Sequence, residues 1–249
     1  MDPIMPFAVL FLASLWAGCQ NALAGGGSFL TLPALILTGM DARAANITSC
    51  VALFPGQVLT GWHGRANAVG VGSLTLKTLI IISLVGGALG AVLLLLTPSR
   101  IFAGMVPWLV LFATVMFAWG SFGPRRHDGP RMSAIAAGTA QFVIAVYGGY
   151  FGGGIGFLML ATLTAAGLAI RNAAGNKNVL AAVMNLSAVL IFVFSTDVHW
   201  PQMAVACIGA LIGGYAGSLM LNRVNEKLLR IFVVCIGTAL TIGLFLRAP

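Results

Sequence analysis

Gln57 and Asn185 stand 128 residues apart, each about two turns into a stretch otherwise made of Val, Ala, Leu and Phe. A carboxamide in such surroundings needs a partner. It can donate to an oxyanion while accepting from a neighbour, or it can hold two helices together. Upstream of each amide lies a polar cluster that reads as the opening of a helix: Asn46, Thr48 and Ser49 in one case, Asn176, Lys177 and Asn178 in the other. Helix N-termini expose unpaired N–H groups and a partial positive charge, so small anions settle there. Lys177 is the one formal cation within these clusters, and Arg43 and Arg171 flank the turns before them. Each arginine reads either as part of an anion site or as an anchor reaching for the membrane interface. The glycine runs Gly25, Gly26, Gly27 and Gly152, Gly153, Gly154 precede one more pair of apolar segments, whose first turns offer two further sets of free N–H groups. These residue types suit non-covalent handling of an anion. The apolar segments hold no nucleophile–base pair, no haem-type His pair and no metal-ligand cluster, so an enzyme or redox subunit is disfavoured, and no cofactor is expected.

The spacing of these groups comes from a duplication. At the fixed 128-residue offset, ten of the 27 positions from 25 to 51 are identical, including Gly39 with Gly167 and Arg43 with Arg171. A second echo lies one residue out of phase, where Gly86-Gly87-Ala88-Leu89-Gly90 answers Gly213-Gly214-Tyr215-Ala216-Gly217. Leucine matches come cheaply in an apolar chain, but paired glycines and arginines do not. Two repeats are expected, over 1–124 and 132–249, forming a single membrane domain.

Only 7% of the 249 residues are charged while 59% are hydrophobic, and the mean hydropathy is +1.02. Uncharged runs cover 3–40, 44–64, 78–99, 101–124, 132–170, 178–196 and 198–222, and about 20 helical residues cross a bilayer core. An all-α polytopic membrane protein is expected, embedded in the lipid bilayer. The net charge of +8 comes from single Lys and Arg residues at segment ends. They read as cytoplasmic anchors, and no nucleic-acid partner is expected. Cys19, Cys50, Cys207 and Cys235 lie in apolar stretches at irregular spacing and read as packing residues. The apolar N-terminus with Ala22-Leu23-Ala24 imitates a cleavable secretory signal, but it lacks a basic start and runs straight into the repeated glycines, so it is read as the first membrane helix.

Breaks at Gly, Pro and charged residues predict segments at 4–24, 28–38, 44–61, 70–96, 101–122, 132–151, 155–168, 174–195, 199–221 and 228–247, five in each half. An odd number makes the two copies run through the membrane in opposite directions, as inverted repeats do. Charge agrees: the 123–131 and 222–230 loops are basic and belong inside, and the 196–199 loop, which has no Lys or Arg, belongs outside. Segments 28–38 and 155–168 are too short to cross and read as broken half-helices, tolerated only inside protein or beside a wet cavity.

The succession of a Gly-rich turn, Pro33, Gly39 and then Ala45-Asn46-Ile47-Thr48-Ser49 resembles the signature of the sulfite exporter TauE/SafE family, also called toluenesulfonate uptake permeases. The resemblance spans nearly the whole chain. The second copy departs from the pattern, with Ala161 where the first has Pro33 and Asn176-Lys177 in place of Thr48-Ser49, so a symmetric binding role for these positions is in doubt. What the resemblance implies is a secondary transporter moving sulfite, sulfonates or other small sulfur-containing anions across the inner membrane. An anion or metabolite channel is the alternative, because broken helices also line filters. Coupling stays open between a proton, sodium and none: no acid or histidine is central, and Asp41, the best-placed acid, is expected to pair with Arg43. The sequence does not decide whether the chain forms a homodimer.

Overall fold

A computed structural model describes residues 4–23, 27–122, 132–220 and 226–247. Among them are ten α-helices: α1 (Ile4–Leu23), α2 (Ser28–Leu37), α3 (Ala42–Gly64), α4 (Leu76–Leu96), α5 (Ser99–Phe122), α6 (Ala134–Tyr150), α7 (Ile155–Ala165), α8 (Ile170–Phe192), α9 (Trp200–Met220) and α10 (Glu226–Arg247). The fold is all-helical. By length and composition α4, α5 and α8 suffice to cross a membrane. Leu96, Ile135 and Phe194 are more than 70% exposed, and Trp62, Trp108 and Trp119 are also largely exposed. Apolar surface of this extent is stable against lipid and not against water.

Local chemistry sets the helix boundaries. The Asp41 carboxylate accepts from the Arg43 and Ala44 amides at 3.0 and 3.2 Å and starts α3; Thr75 and Ser133 do the same for α4 and α6 through the Thr78 and Ala136 amides. Gly39 and Gly167 close α2 and α7 with φ of +92° and +95°, a left-handed conformation that glycine adopts without strain. α4 starts at Leu76 and not at residue 70. A 3-10 turn at Arg65–Asn67 and an isolated bridge between Val71 and Leu74 fill the gap, and Val71 is buried like a helix residue, so its hydropathy imitates one.

Packing interleaves the two halves of the chain. α1 lies along α9, α4 along α6 and α8, α3 against α8 and α9, and α5 against α10. The short helices are enclosed: α2 packs on α1 and α3, and α7 on α5, α6 and α8. Glycine lets the backbones meet. A Cβ at Gly213 or Gly217 would strike the α1 backbone at Leu15 or Cys19, and one at Gly90 would strike α6 at Val146 and Tyr150. Running order follows from the same contacts. Cys50, Gly61 and Gly64 of α3 meet Asn185, Ala182 and Asn178 of α8, so these two helices are antiparallel. α4 and α6 run in the same direction, since Gly86 meets Ala145 and Gly90 meets Gly149.

Candidate functional site

The polar residues singled out by the sequence fall at two depths along the α3–α8 crossing. At one end the Arg43 guanidinium pairs with the Asp197 carboxylate at 3.0 Å and donates to the carbonyls of Thr97 (2.9 Å) and Leu95 (3.4 Å) at the end of α4. The expected Asp41–Arg43 ion pair is therefore corrected: Asp41 spends its carboxylate on the backbone amides that open α3, and the guanidinium reaches across to the α8–α9 connection. Beside this pair, Thr48 Oγ1 donates to the Asp197 carbonyl at 3.3 Å and accepts from the His199 amide at 3.2 Å. Asn46 Nδ2 donates to the Tyr150 carbonyl at 3.1 Å, where α6 ends.

At the other end Asn176 grips the backbone of Val69, accepting from its amide at 2.7 Å and donating to its carbonyl at 2.8 Å. Asn178 packs against Gly64 on α3. Arg171 is exposed and forms no ion pair among the described residues.

Beside each of these groups, where α2 and α7 begin, the halves diverge. In the first, Ser49 and Thr31 share a 2.6 Å hydroxyl hydrogen bond that ties α3 to α2. In the second, the corresponding Lys177 lays its aliphatic stem beside Gly156 in the first turn of α7, and its ammonium makes no hydrogen bond or ion pair among the described residues. Gly154 heads α7 in a left-handed conformation (φ +75°), and no side chain caps that end. Gly27 heads α2 and is likewise without a side-chain cap. Gly25 and Gly26 lie outside the described residues. Both helix starts border one narrow, almost wholly apolar crevice between α2, α5 and α10, with Ser28 on one side and Gly153 on the other, and Pro33, Val110, Leu240 and Leu244 along the walls.

Of the two amides, Asn185 is buried and takes a long 3.7 Å contact from the Cys50 thiol, whereas Gln57 Oε1 is buried with no partner. Tyr147 has a buried hydroxyl that likewise lacks a partner, in a setting of Phe112 and Phe151. Sequence reasoning missed Tyr147, Thr31 and the loop role of Asp197. A hydroxyl in the middle of a short apolar helix was a usable signal for Thr31, but nothing in the sequence marks Tyr147.

A family model described as Sulfite exporter TauE/SafE matches residues 10–244. The chain belongs to this family. Similar proteins cover nearly their whole length. A "Probable membrane transporter protein" of Haemophilus influenzae is 28% identical over 240 residues, 94% of this chain and 92% of the relative. "Probable membrane transporter protein YfcA" of Escherichia coli K12 is 28% identical over 248 residues, 97% and 90% of the two chains. "Probable membrane transporter protein ORF9" of a Sinorhizobium species is 27% identical over 243 residues, 95% and 91%. TauE/SafE membership puts the chain among multi-pass membrane transporters and not among enzymes.

Proposed function

We propose that this TauE/SafE protein carries small sulfur-containing anions, sulfite or organic sulfonates, across the inner membrane by alternating access, with the substrate held at the starts of the two half-helices. The observation that carries the reading is Lys177, whose stem lies beside Gly156 in the uncapped first turn of α7 and whose ammonium has no hydrogen bond or ion pair among the described residues. An ammonium with no counter-ion beside free N–H groups is a seat for negative charge, and in an apolar surround such a cation is costly unless something pairs with it. Gln57 and the Tyr147 hydroxyl supply further unused hydrogen-bonding capacity. Asn46, Thr48, Ser49 and Asn176 spend theirs on the protein and act as supports.

The inverted-repeat reading has support in the running order. α3 opposes its repeat counterpart α8, as inverted repeats require, and α4 runs with α6, the counterpart of α1. α6 begins at the end where Arg171 lies, and the sequence just before it is rich in arginine, which by the positive-inside rule makes this the cytoplasmic end. The Arg43–Asp197 end is then external.

Reconstituted protein is expected to take up labelled sulfite or a sulfonate with saturation, and Lys177→Ala to cut that uptake by about tenfold or more, equivalent to ~1.4 kcal/mol of lost interaction. Flat, unsaturable uptake would remove the carrier reading. Bilayer currents far above carrier turnover would replace it with a channel.

A further inference from the structure

Thr48 and Asn176 occupy the same position of the two repeats, and so do the segments they hold, because Val69 and Asp197 are also 128 residues apart. Each is one polar side chain, seven residues into its helix, that grips the backbone of the connection following the partner helix. Thr48 holds the α8–α9 connection through the Asp197 carbonyl and the His199 amide. Asn176 holds the α3–α4 connection through both backbone groups of Val69. The chain therefore carries one clasp at each end of the α3–α8 crossing, and both are closed in this conformation.

The clasps differ in strength. At the Thr48 end the guanidinium of Arg43 locks the gripped segment by its ion pair with Asp197 and ties it to the end of α4 through Thr97 and Leu95. At the Asn176 end the equivalent arginine is Arg171, which is exposed, and the residue that would have to answer it is Val69, which carries no charge. The first clasp is ionic and cross-braced, and the second is a neutral amide clamp. Neutral bonds of this kind contribute less than charge-assisted ones and open without separating charges.

We propose that these are the two gates of the transport cycle: an external gate latched by Arg43 and Asp197, and an internal gate held by Asn176 on Val69, which opens the more readily of the two. The proposal rests on the alternating-access reading above. On that reading the connection each clasp holds is what covers the Lys177 region from one face, and releasing one while the other stays shut is what alternation requires.

Hydrogen exchange on the full-length protein in nanodiscs tests the gates directly, since the His199 and Val69 amides are clasp bonds. In the parent, the 65–75 segment is expected to exchange faster than 193–203. Asp197→Asn is expected to speed exchange of 193–203 by about fivefold or more while 65–75 keeps its parent rate or slows; Asn176→Ala is expected to do the converse. Exchanging the charges, Arg43→Asp with Asp197→Arg, is expected to restore most of the lost protection. Should Asp197→Asn fail to fold, Arg43→Lys, which keeps the charge and loses the fork, is expected to give a smaller acceleration of the same segment. Unchanged exchange in 193–203, or a joint acceleration of both segments, would overturn the gates. Uptake by the same preparations separates this proposal from the substrate reading. Alternating exchange without saturable anion uptake leaves the gates and removes the substrate; saturable uptake with exchange indifferent to the variants removes the gates alone.

Discussion

The turn joining α2 to α3 and the turn joining α7 to α8 share a backbone and differ in chemistry. Gly39 and Gly167 have φ within a few degrees of each other, and α3 and α8 are both 23 residues long. Yet Asp41 caps α3 with its side chain while Ala169 offers α8 none, Arg43 is tied down while Arg171 is exposed, and Ser49 is bonded to Thr31 where Lys177 has no partner. The main-chain path is shared and the polar side chains are divided. At this turn the first half spends its polar groups on the protein, whereas Lys177 in the second has no partner among the described residues. On the proposed reading it is the second half that brings the charge to the anion.

The largest effect expected from this division is on uptake. Lys177→Ala should nearly abolish saturable anion uptake, whereas Ser49→Ala should leave it within about threefold and act mainly on stability, by about 1 kcal/mol for the lost hydroxyl pair, since Thr31 still donates to the Gly27 carbonyl. Equal losses of uptake in the two variants would erase the distinction between the halves. Next come the turns. A Cβ at Gly39 meets nothing within 4 Å, so Gly39→Ala reports backbone strain alone, about 1–2 kcal/mol. Gly167→Ala should match it in thermal melts; a disparity would mean that the shared backbone is coincidental. Smaller again is the cap: Asp41→Ala is expected to cost ~1 kcal/mol, and Ala169→Asp to recover a fraction of that in α8, both read as shifts of Tm. Arg171→Ala should change stability by less than about 0.5 kcal/mol, as an exposed residue without an ion pair does.

Much of the fold was legible because repetition and hydropathy are local signals. The 128-residue echo located both short helices, α2 and α7, and the glycines at 39 and 167 fell where they end. The start of α4 was not legible, because Val69, Val71 and Leu74 continue the apolar pattern although Asn176 and a β-bridge hold that stretch as a loop. Side-chain roles were less legible than the backbone. Asn176 finds its partner 107 residues away and Arg43 its carboxylate in a loop of the other half, and no spacing rule connects such pairs. Lys177 could be singled out because it is the one cation in the polar clusters that open α3 and α8.

The glycine seams carry one more consequence. Where α1 meets α9 and α4 meets α6, main chain lies on main chain with no room for a methyl group, so neither partner can tilt without dragging the other. On the alternating-access reading, α1 with α9 and α4 with α6 are expected to travel as pairs, each joining a helix of one half of the chain to a helix of the other.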